Sequence, residues 1–311
     1  DTLILPDYVQ SYFVAQRTGA VYITRDMLRF SVTPQWWKLF DITGYNMHSY
    51  EISTDMNYVW AGSYYNGTLI RVSGLKNAYS IEAADITYKP TASDSLILIS
   101  TGDTVTGSSI SNINFETDYL LYKYIDGSDV KYCVSTKEIN WSGNGTISDI
   151  SVDPSNPDNV CVVVSGTGGN HVYYSTNGTS SNPSFSSIDG DLPDMPVFGC
   201  VIDKDDSEKI IIGTEYGVFS TDNLSGNNTV WTPNNAEIGP VPVFDVCQQW
   251  REWEDGYSNG IRRVRNSGAI YACTHGRGIW RSDNLLSISD PIDFNNKNII
   301  DNLTLFPNPS K

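Results

Sequence analysis

Apolar residues in this chain fall in short β-branched and aromatic runs, separated by Gly, Asn, Asp and Ser. No stretch of eleven residues carries the i, i+3, i+4, i+7 spacing of an amphipathic helix. The pattern predicts strands and turns, hence an all-β chain. The runs also repeat. Ile150–Val164 reads as a strand, an Asp-led polar turn and an apolar strand, and Cys200–Ile212, Ile86–Ile99 and Tyr50–Trp60 read the same way. A Gly-containing loop and a third strand then end in a Ser/Thr-x-Asp-like turn. Examples are Gly19–Asp26, His171–Asn177, Gly217–Asp222, Gly278–Asp283 and, more weakly, Lys131–Lys137. An aromatic usually follows: Trp36 and Trp37, Trp141, Phe185 or Trp231. These turns fall near residues 26, 73, 137, 177, 222 and 283. A repeat of this size with about four strands each predicts a β-propeller of four-stranded antiparallel blades.

About six units are expected, spanning 1–43, 44–80, 81–143, 144–192, 193–238 and 239–283. A unit of this kind cannot bury both faces of its sheet alone; stacked neighbours can. Two units are enlarged, by residues 102–128 and by 248–267. The sixth lacks an evident fourth strand. Either Thr2–Pro6 supplies it and closes the ring, or the chain belongs to a larger propeller. The expected organisation is a propeller over 1–286, a polar linker over 287–302 and a separate C-terminal segment over 303–311.

Charge narrows the function. The chain has 311 residues, with Lys+Arg 20 against Asp+Glu 36, a formal net charge of −16. That disfavours nucleic-acid binding, which needs Lys and Arg against phosphate. An aromatic share of 12% excludes a disordered chain. No apolar run is long enough for a membrane-spanning helix. The cysteines Cys133, Cys161, Cys200, Cys247 and Cys273 have no zinc-ligand spacing. They read as small buried apolar side chains, with a Cys247–Cys273 disulfide as the alternative.

The turn peptides Ser220–Asp222, followed by Trp231, and Ser282–Asp283 resemble the Asp-box (BNR) repeats of sialidases, sortilin-like receptors and xyloglucanase-like glycosidases. The Gly of the box is mostly absent. The resemblance implies a propeller whose turns are fixed by an aspartate over a packed Trp. A second resemblance lies in Leu303-Thr-Leu-Phe-Pro-Asn-Pro-Ser310, which looks like the opening of the C-terminal sorting domain of type IX secretion cargo. Leu303, Leu305, Pro307, Asn308 and Pro309 carry it. Thr274–Arg281 resembles the last blade of such cargo. This implies export across an outer membrane, with the type IX translocon and sorting machinery as partners. It also implies a final location at the cell surface or in the medium.

Candidate chemistry follows from the propeller. Loops between second and third strands share one end of the blades with the blade-joining segments. That end carries Arg17, Tyr64, Tyr65, Asn66, Glu215, Tyr216, His275 and Arg277, with Asp191 and Asp194 from a blade junction. Aromatics suit stacking on a glycan or a protein, and the charges suit polar contacts. Two arginines are too few for the clamp a sialidase needs on its substrate carboxylate. A xyloglucanase-like hydrolase would need two facing carboxylates, and Glu215 with Asp191 or Asp194 is the candidate pair. His275 is a candidate general base. The favoured function is non-enzymatic glycan or protein binding, with surface glycoside hydrolysis as the alternative. No cofactor is expected; Asp203–Asp206 and Asp189–Asp191 are weak Ca²⁺ candidates because they cluster carboxylates. Trp250, Trp253, Arg262 and Arg263 form a second, partner-binding candidate of hot-spot composition.

Overall fold

The computed structural model describes residues 13–17, 20–24, 33, 36–41, 46–75, 95–98, 104–106, 122–126, 129–133, 135–250, 266–282 and 303–305. The described residues are all-β, with five four-stranded antiparallel sheets and one three-stranded sheet, the architecture of a β-propeller. The chain divides into two compact units, Asp1–Asn140 and Trp141–Lys311.

In the first unit, β1 (Phe13–Arg17), β2 (Ala20–Thr24) and β3 (Trp37–Asp41) form a three-stranded sheet in chain order. A second sheet follows with β4 (Met47–Ile52), β5 (Tyr58–Ser63) and β6 (Leu69–Ser73). The next four strands, β7 (Ser95–Leu98), β8 (Thr104–Thr106), β9 (Tyr122–Asp126) and β10 (Asp129–Cys133), form a sheet of order β10-β9-β7-β8. Then β11 (Ser135–Ile139) returns to pair with β6, Ser135 opposite Ser73 and Ile139 opposite Leu69. This differs from the expected third blade, which assigned 131–137 to a third strand. The physical reason is the outer edge of β6. Its backbone groups need a partner, and Ile139 is buried opposite buried Leu69 when β11 supplies it. The excursion sheet therefore interrupts one blade between its third and fourth strands.

The second unit is more regular. Its three blades run β12 (Thr146–Val152), β13 (Val160–Ser165), β14 (Val172–Ser175), β15 (Ser186–Ser187); β16 (Val197–Asp203), β17 (Asp206–Thr214), β18 (Gly217–Thr221), β19 (Thr232–Pro233); and β20 (Val243–Gln248), β21 (Ile270–Thr274), β22 (Gly278–Ser282), β23 (Leu303–Leu305). Each is ordered first strand to fourth. The missing fourth strand of the last blade is Leu303–Leu305, with Leu303 opposite Ser282 and Leu305 opposite Trp280. Thr2–Pro6 lies outside the described residues.

Side chains alternate across a strand, so a blade between two others must be apolar on both faces. Accordingly Cys200, Ile202, Ile210 and Ile212 pack with Cys161, Val163, Tyr174 and Trp231 of one cluster. Val201 and Ile211 pack instead with Val243, Val246, Ile270 and Ala272. The apolar run Ile210-Ile211-Ile212 thus serves two interfaces at once. The first strands are also joined by side chains. Ser148 Oγ donates to the Val197 carbonyl at 2.6 Å, Cys200 N–H donates to Asp149 at 2.9 Å, and Ile202 N–H donates to Ser151 Oγ at 3.0 Å. These bonds satisfy backbone groups on the β16 edge that no strand covers. Burial pushes the Asp149 carboxyl up to about 7; the Cys200 and Ile150 N–H groups oppose the shift and Asp245 adds to it.

The cysteine expectation holds for Cys161 and Cys200, which are buried, but Cys247 is exposed and Cys273 half-buried. Both are free thiols rather than a disulfide. Cys247 stands opposite Tyr271 and Cys273 opposite Asp245, so the pair is out of register by two residues. Burial, then Asp245, Cys273 and Asp149, push the Cys247 thiol up to about 11.

Candidate functional site

One device recurs at the start of four first strands. The ladder shifts register between Met47 and Ser49, Ile147 and Asp149, Val197 and Gly199, and Val243 and Asp245. Each shift leaves one residue unpaired: His48, Ser148, Phe198 and Phe244. The residue before it is buried every time. Such bulges re-aim a side chain. In two blades the unpaired residue meets the loop between the second and third strands. His48 packs edge-on against Tyr64 with ring centroids 5.4 Å apart, and Phe244 packs edge-on against His275 at 5.7 Å. Phe198 in turn packs against Phe244 at 5.4 Å.

The loops themselves are held by a second repeat. The last residue of each second strand is Ser63, Ser165, Thr214 or Thr274. Thr214 Oγ1 accepts the Tyr216 N–H at 3.1 Å and donates to the Gly217 carbonyl at 2.9 Å, and Thr274 Oγ1 donates to the Gly278 carbonyl at 2.7 Å. The next N–H ties to the preceding blade junction: Glu215 to Pro196 at 3.1 Å and His275 to Pro242 at 2.8 Å. The loops between second and third strands therefore share an end with the blade junctions, as the sequence reading required.

What sits on that end differs by blade. In the first blade of the second unit the loop is closed. His171 is 3% exposed, with Nδ1 3.1 Å from Asp189 and Nε2 in charge contact with Asp194 at 3.3 Å. Asp189 also accepts the His171 N–H at 2.8 Å and the Val172 N–H at 2.7 Å. The hydrogen bond to Asp189 holds the His171 pKa above its ordinary value against desolvation, and the charges of Asp189 and Asp194 add to this. In the next blade Asn235 takes the place of Asp189. It accepts the Val218 N–H at 2.7 Å from the same sequence distance of 17 residues. Gly217 is required there: a Cβ would lie 2.1 Å from Asn235 Oδ1, and its φ is +110°. In the last blade the loop is open. His275, Arg277 and Phe244 are exposed, and Arg277 donates to the Ile238 carbonyl at 2.8 Å.

The sequence-derived site residues divide accordingly. Tyr216 (55%), Tyr64 (43%) and Tyr65 (57%) are exposed on their loops, as are Glu215 and Asn66. Tyr64 and Tyr65 form a pair of their own at 4.6 Å. Asp191 accepts the Trp231 N–H at 2.7 Å, and Asp194 accepts the Gly168 N–H at 2.8 Å, so both hold loops in place. Arg17 ends β1, and its side chain lies outside the described ones. Trp250 is exposed; Trp253, Arg262 and Arg263 lie outside the described residues, as do Pro307, Asn308 and Pro309. The Ca²⁺ candidates are occupied by protein donors. Asp203 accepts the Asp205 N–H at 3.0 Å and Gln248 Nε2 at 3.2 Å. Among the described residues no group of three or more His, Cys, Asp or Glu side chains is placed to hold a metal ion. The turn after the third strand is closed by Thr221, which accepts the Asn223 N–H at 3.3 Å, while Asp222 is exposed. The aspartate turns lie instead between first and second strands, led by Asp153. The expected aromatic is in place: Trp231 is buried, with Nε1 donating to the Ile188 carbonyl at 3.0 Å.

Sequence reasoning missed His171 and the four bulges, and it read Asp189 as a weak Ca²⁺ candidate rather than as the partner of His171. His171 was readable as the residue opening a third strand, with Asp189 placed like Asn235. The bulges have no composition signal, because the unpaired residue is His, Ser or Phe.

No family profile and no curated protein matches this chain. Among solved structures it is similar to Sqt1 from Chaetomium thermophilum, at a TM-score of 0.47 and 12% identity over 90% of this chain and 54% of that one. It is also similar to the β-propeller domain of Cps50 (Swd1) from Myceliophteria thermophila, at 0.44 and 10% over 88% and 62%. A chain of a nidogen/laminin complex gives 0.42 and 10% over 88% and 73%. The chain thus spans about half the length of Sqt1.

Proposed function

We propose that this chain is the non-enzymatic, ligand-binding propeller of a secreted or cell-surface protein, and that it grips a glycan or a protein with the loop end of its blades. The observation that carries the reading is the ring row Phe198, Phe244 and His275, half-buried at Phe198 and exposed at Phe244 and His275, built by two consecutive bulges and one loop. Exposed aromatics held in fixed geometry are what a binding surface needs. The carboxylates weighed for hydrolysis speak against catalysis, because Asp191 and Asp194 serve backbone N–H groups. The test applies the labelled chain to glycan and peptide arrays. Phe244→Ala and His275→Ala are expected to lose at least tenfold in affinity for whatever binds. Retained binding by both variants would move the site elsewhere.

Kinship to Asp-box propellers and type IX export belong to the same proposal. Buried Trp231 behind the Ser220–Asp222 turn supports the first. The second rests on Leu303, Leu305, Pro307, Asn308 and Pro309, with the type IX translocon as partner. Because Leu303–Leu305 also pair with β22, the test leaves that strand intact. Alanine at Pro307, Asn308 and Pro309 is expected to leave a folded chain in the periplasm. Normal surface delivery of that variant would refute the export reading.

A further inference from the structure

A cleft of about 450 Å³ opens at the opposite end of the second unit, between its first two blades. Asn159, Tyr174, Ser184, Ser207 and Glu208 line it, with Ile188 and Leu224 as apolar surface. Its size is that of a small-molecule site. It is also rigidly built. Asp153, 1% exposed, accepts from Asn159 Nδ2 at 2.9 Å and from Ser207 Oγ at 2.5 Å. Its other oxygen accepts the Ser155 N–H and hydroxyl, both at 2.7 Å. Tyr174 Oη donates to the Ser207 carbonyl at 2.9 Å, tying one blade to the next.

The hydrogen-bond accounting fixes what the cleft offers. A carbonyl or carboxylate oxygen can only accept, so the Tyr174 and Ser207 hydroxyls have turned their donors into the protein, and the Asn159 amide has turned one of its two. Ser184 has done the same: its hydroxyl lies 3.2 Å from Asn177 Oδ1, which also accepts the Ser184 N–H. What remains toward the cleft is a majority of acceptors, the Tyr174, Ser184 and Ser207 oxygens and the Asn159 carbonyl, beside the Thr176 and Ser186 hydroxyls and one Asn159 N–H, and the charged side chain in the lining is the Glu208 carboxylate. Burial raises the Tyr174 pKa, and Cys161, Asp153, Glu208 and Asp206 raise it further, which agrees with a negative potential at this spot. A lining whose charged group is a carboxylate, set among several acceptor oxygens, favours a cation with several N–H donors. The apolar surface of Ile188 and Leu224 suits a short methylene stem.

We propose that this cleft binds a primary alkylammonium group on an aliphatic stem, either the side chain of a partner's lysine or a free diamine. The net charge of −16 favours approach of such a ligand. The reading is independent of the loop end, which lies at the other end of the strands.

Calorimetry on the whole chain tests it with cadaverine, Nα-acetyl-lysine methylamide and the neutral stem 1-pentanol. Both ammonium probes should bind and pentanol should not. Tighter cadaverine assigns a free diamine as the source, and tighter acetyl-lysine methylamide assigns a lysine side chain. Glu208→Gln should weaken the ammonium probes at least tenfold, and Ser186→Leu, which fills the cleft, should abolish them. Both positions are exposed, and an unchanged thermal midpoint confirms the fold. Phe244→Ala should leave this binding unchanged, which separates it from the loop-end proposal. Equal binding of pentanol, no binding of either ammonium probe, or full affinity in Glu208→Gln overturns it.

Discussion

His171 and His275 stand in comparable loops, each between the second and third strands of its blade, and they meet opposite fates. His171 is buried between two carboxylates, whereas His275 is exposed and touches the ring of Phe244. The bulged residues of the two first strands differ as well. The bulged residue of the closed blade is Ser148, whose hydroxyl donates to the next blade at Val197. In the open blade it is Phe244, which has no hydrogen bond to make and carries its ring to the surface. The same backbone device thus accompanies a corner sealed by Asp189 and Asp194 in one blade and an exposed ring in the other. A propeller can in this way keep its architecture while varying what its loop end presents.

The strongest way to break the comparison is to open the closed loop. Asp189→Ala removes the acceptor of two backbone N–H groups and of the imidazole at once. It leaves a buried histidine without its main partner, so a loss of about 3–5 kcal/mol is expected in urea unfolding. Asp194 is 59% exposed at its side chain, and Asp194→Ala should cost about 1 kcal/mol or less. Equal losses at the two positions would mean that Asp189 is not the clamp.

The pH dependence of stability sharpens the contrast next. The His171 pKa is raised above 6.5, first by its hydrogen bond to Asp189. A raised histidine binds its proton more tightly folded than unfolded, so its contribution is complete below about 6.5 and fades as pH rises through the folded value. Asp149 slopes the same way at lower pH. Its folded pKa of about 7 lies above the ordinary 3.8, so stability falls as pH rises between those values. Asp149→Asn should flatten the profile below pH 7, and His171→Gln should flatten the part above about 6.5. A loss of stability unaffected by either variant would assign the titration elsewhere.

Much of this was legible in the chain. The strand-turn-strand repeats gave the blades because alternation and Asp-led turns are local signals, as in Ile150–Val164 and Cys200–Ile212. Two things were not local. The pairing of β11 with β6 joins residues 135–139 to 69–73, and no periodicity announces which edge a returning strand will choose. The fourth strand at Leu303–Leu305 was hidden by a polar stretch after Ser282 and by its resemblance to an export signal. For the site, exposed Tyr64, Tyr65, Tyr216, His275 and Arg277 were found because loop position alone predicts exposure. Asp191 and Asp194 read as free carboxylates because nothing in the sequence shows that Trp231 and Gly168 present N–H groups to them.

The smallest effect is expected where the comparison is most informative. Phe244 is 51% exposed, and His275→Ala and Phe244→Ala should each change unfolding free energy by about 0.5 kcal/mol. The two rings touch edge-on at 5.7 Å, and such pairs couple by roughly 0.5–1.5 kcal/mol when they help hold a structure. A double-mutant cycle in urea measures that coupling directly. A value near the bottom of the range, joined to a tenfold loss of ligand in either single variant, assigns the rings to recognition. A stability loss above about 2 kcal/mol for Phe244→Ala would make the ring part of the blade interface. In that case the open loop would be as structural as the closed one, and the exposed ring of Phe244 would no longer set the two blades apart.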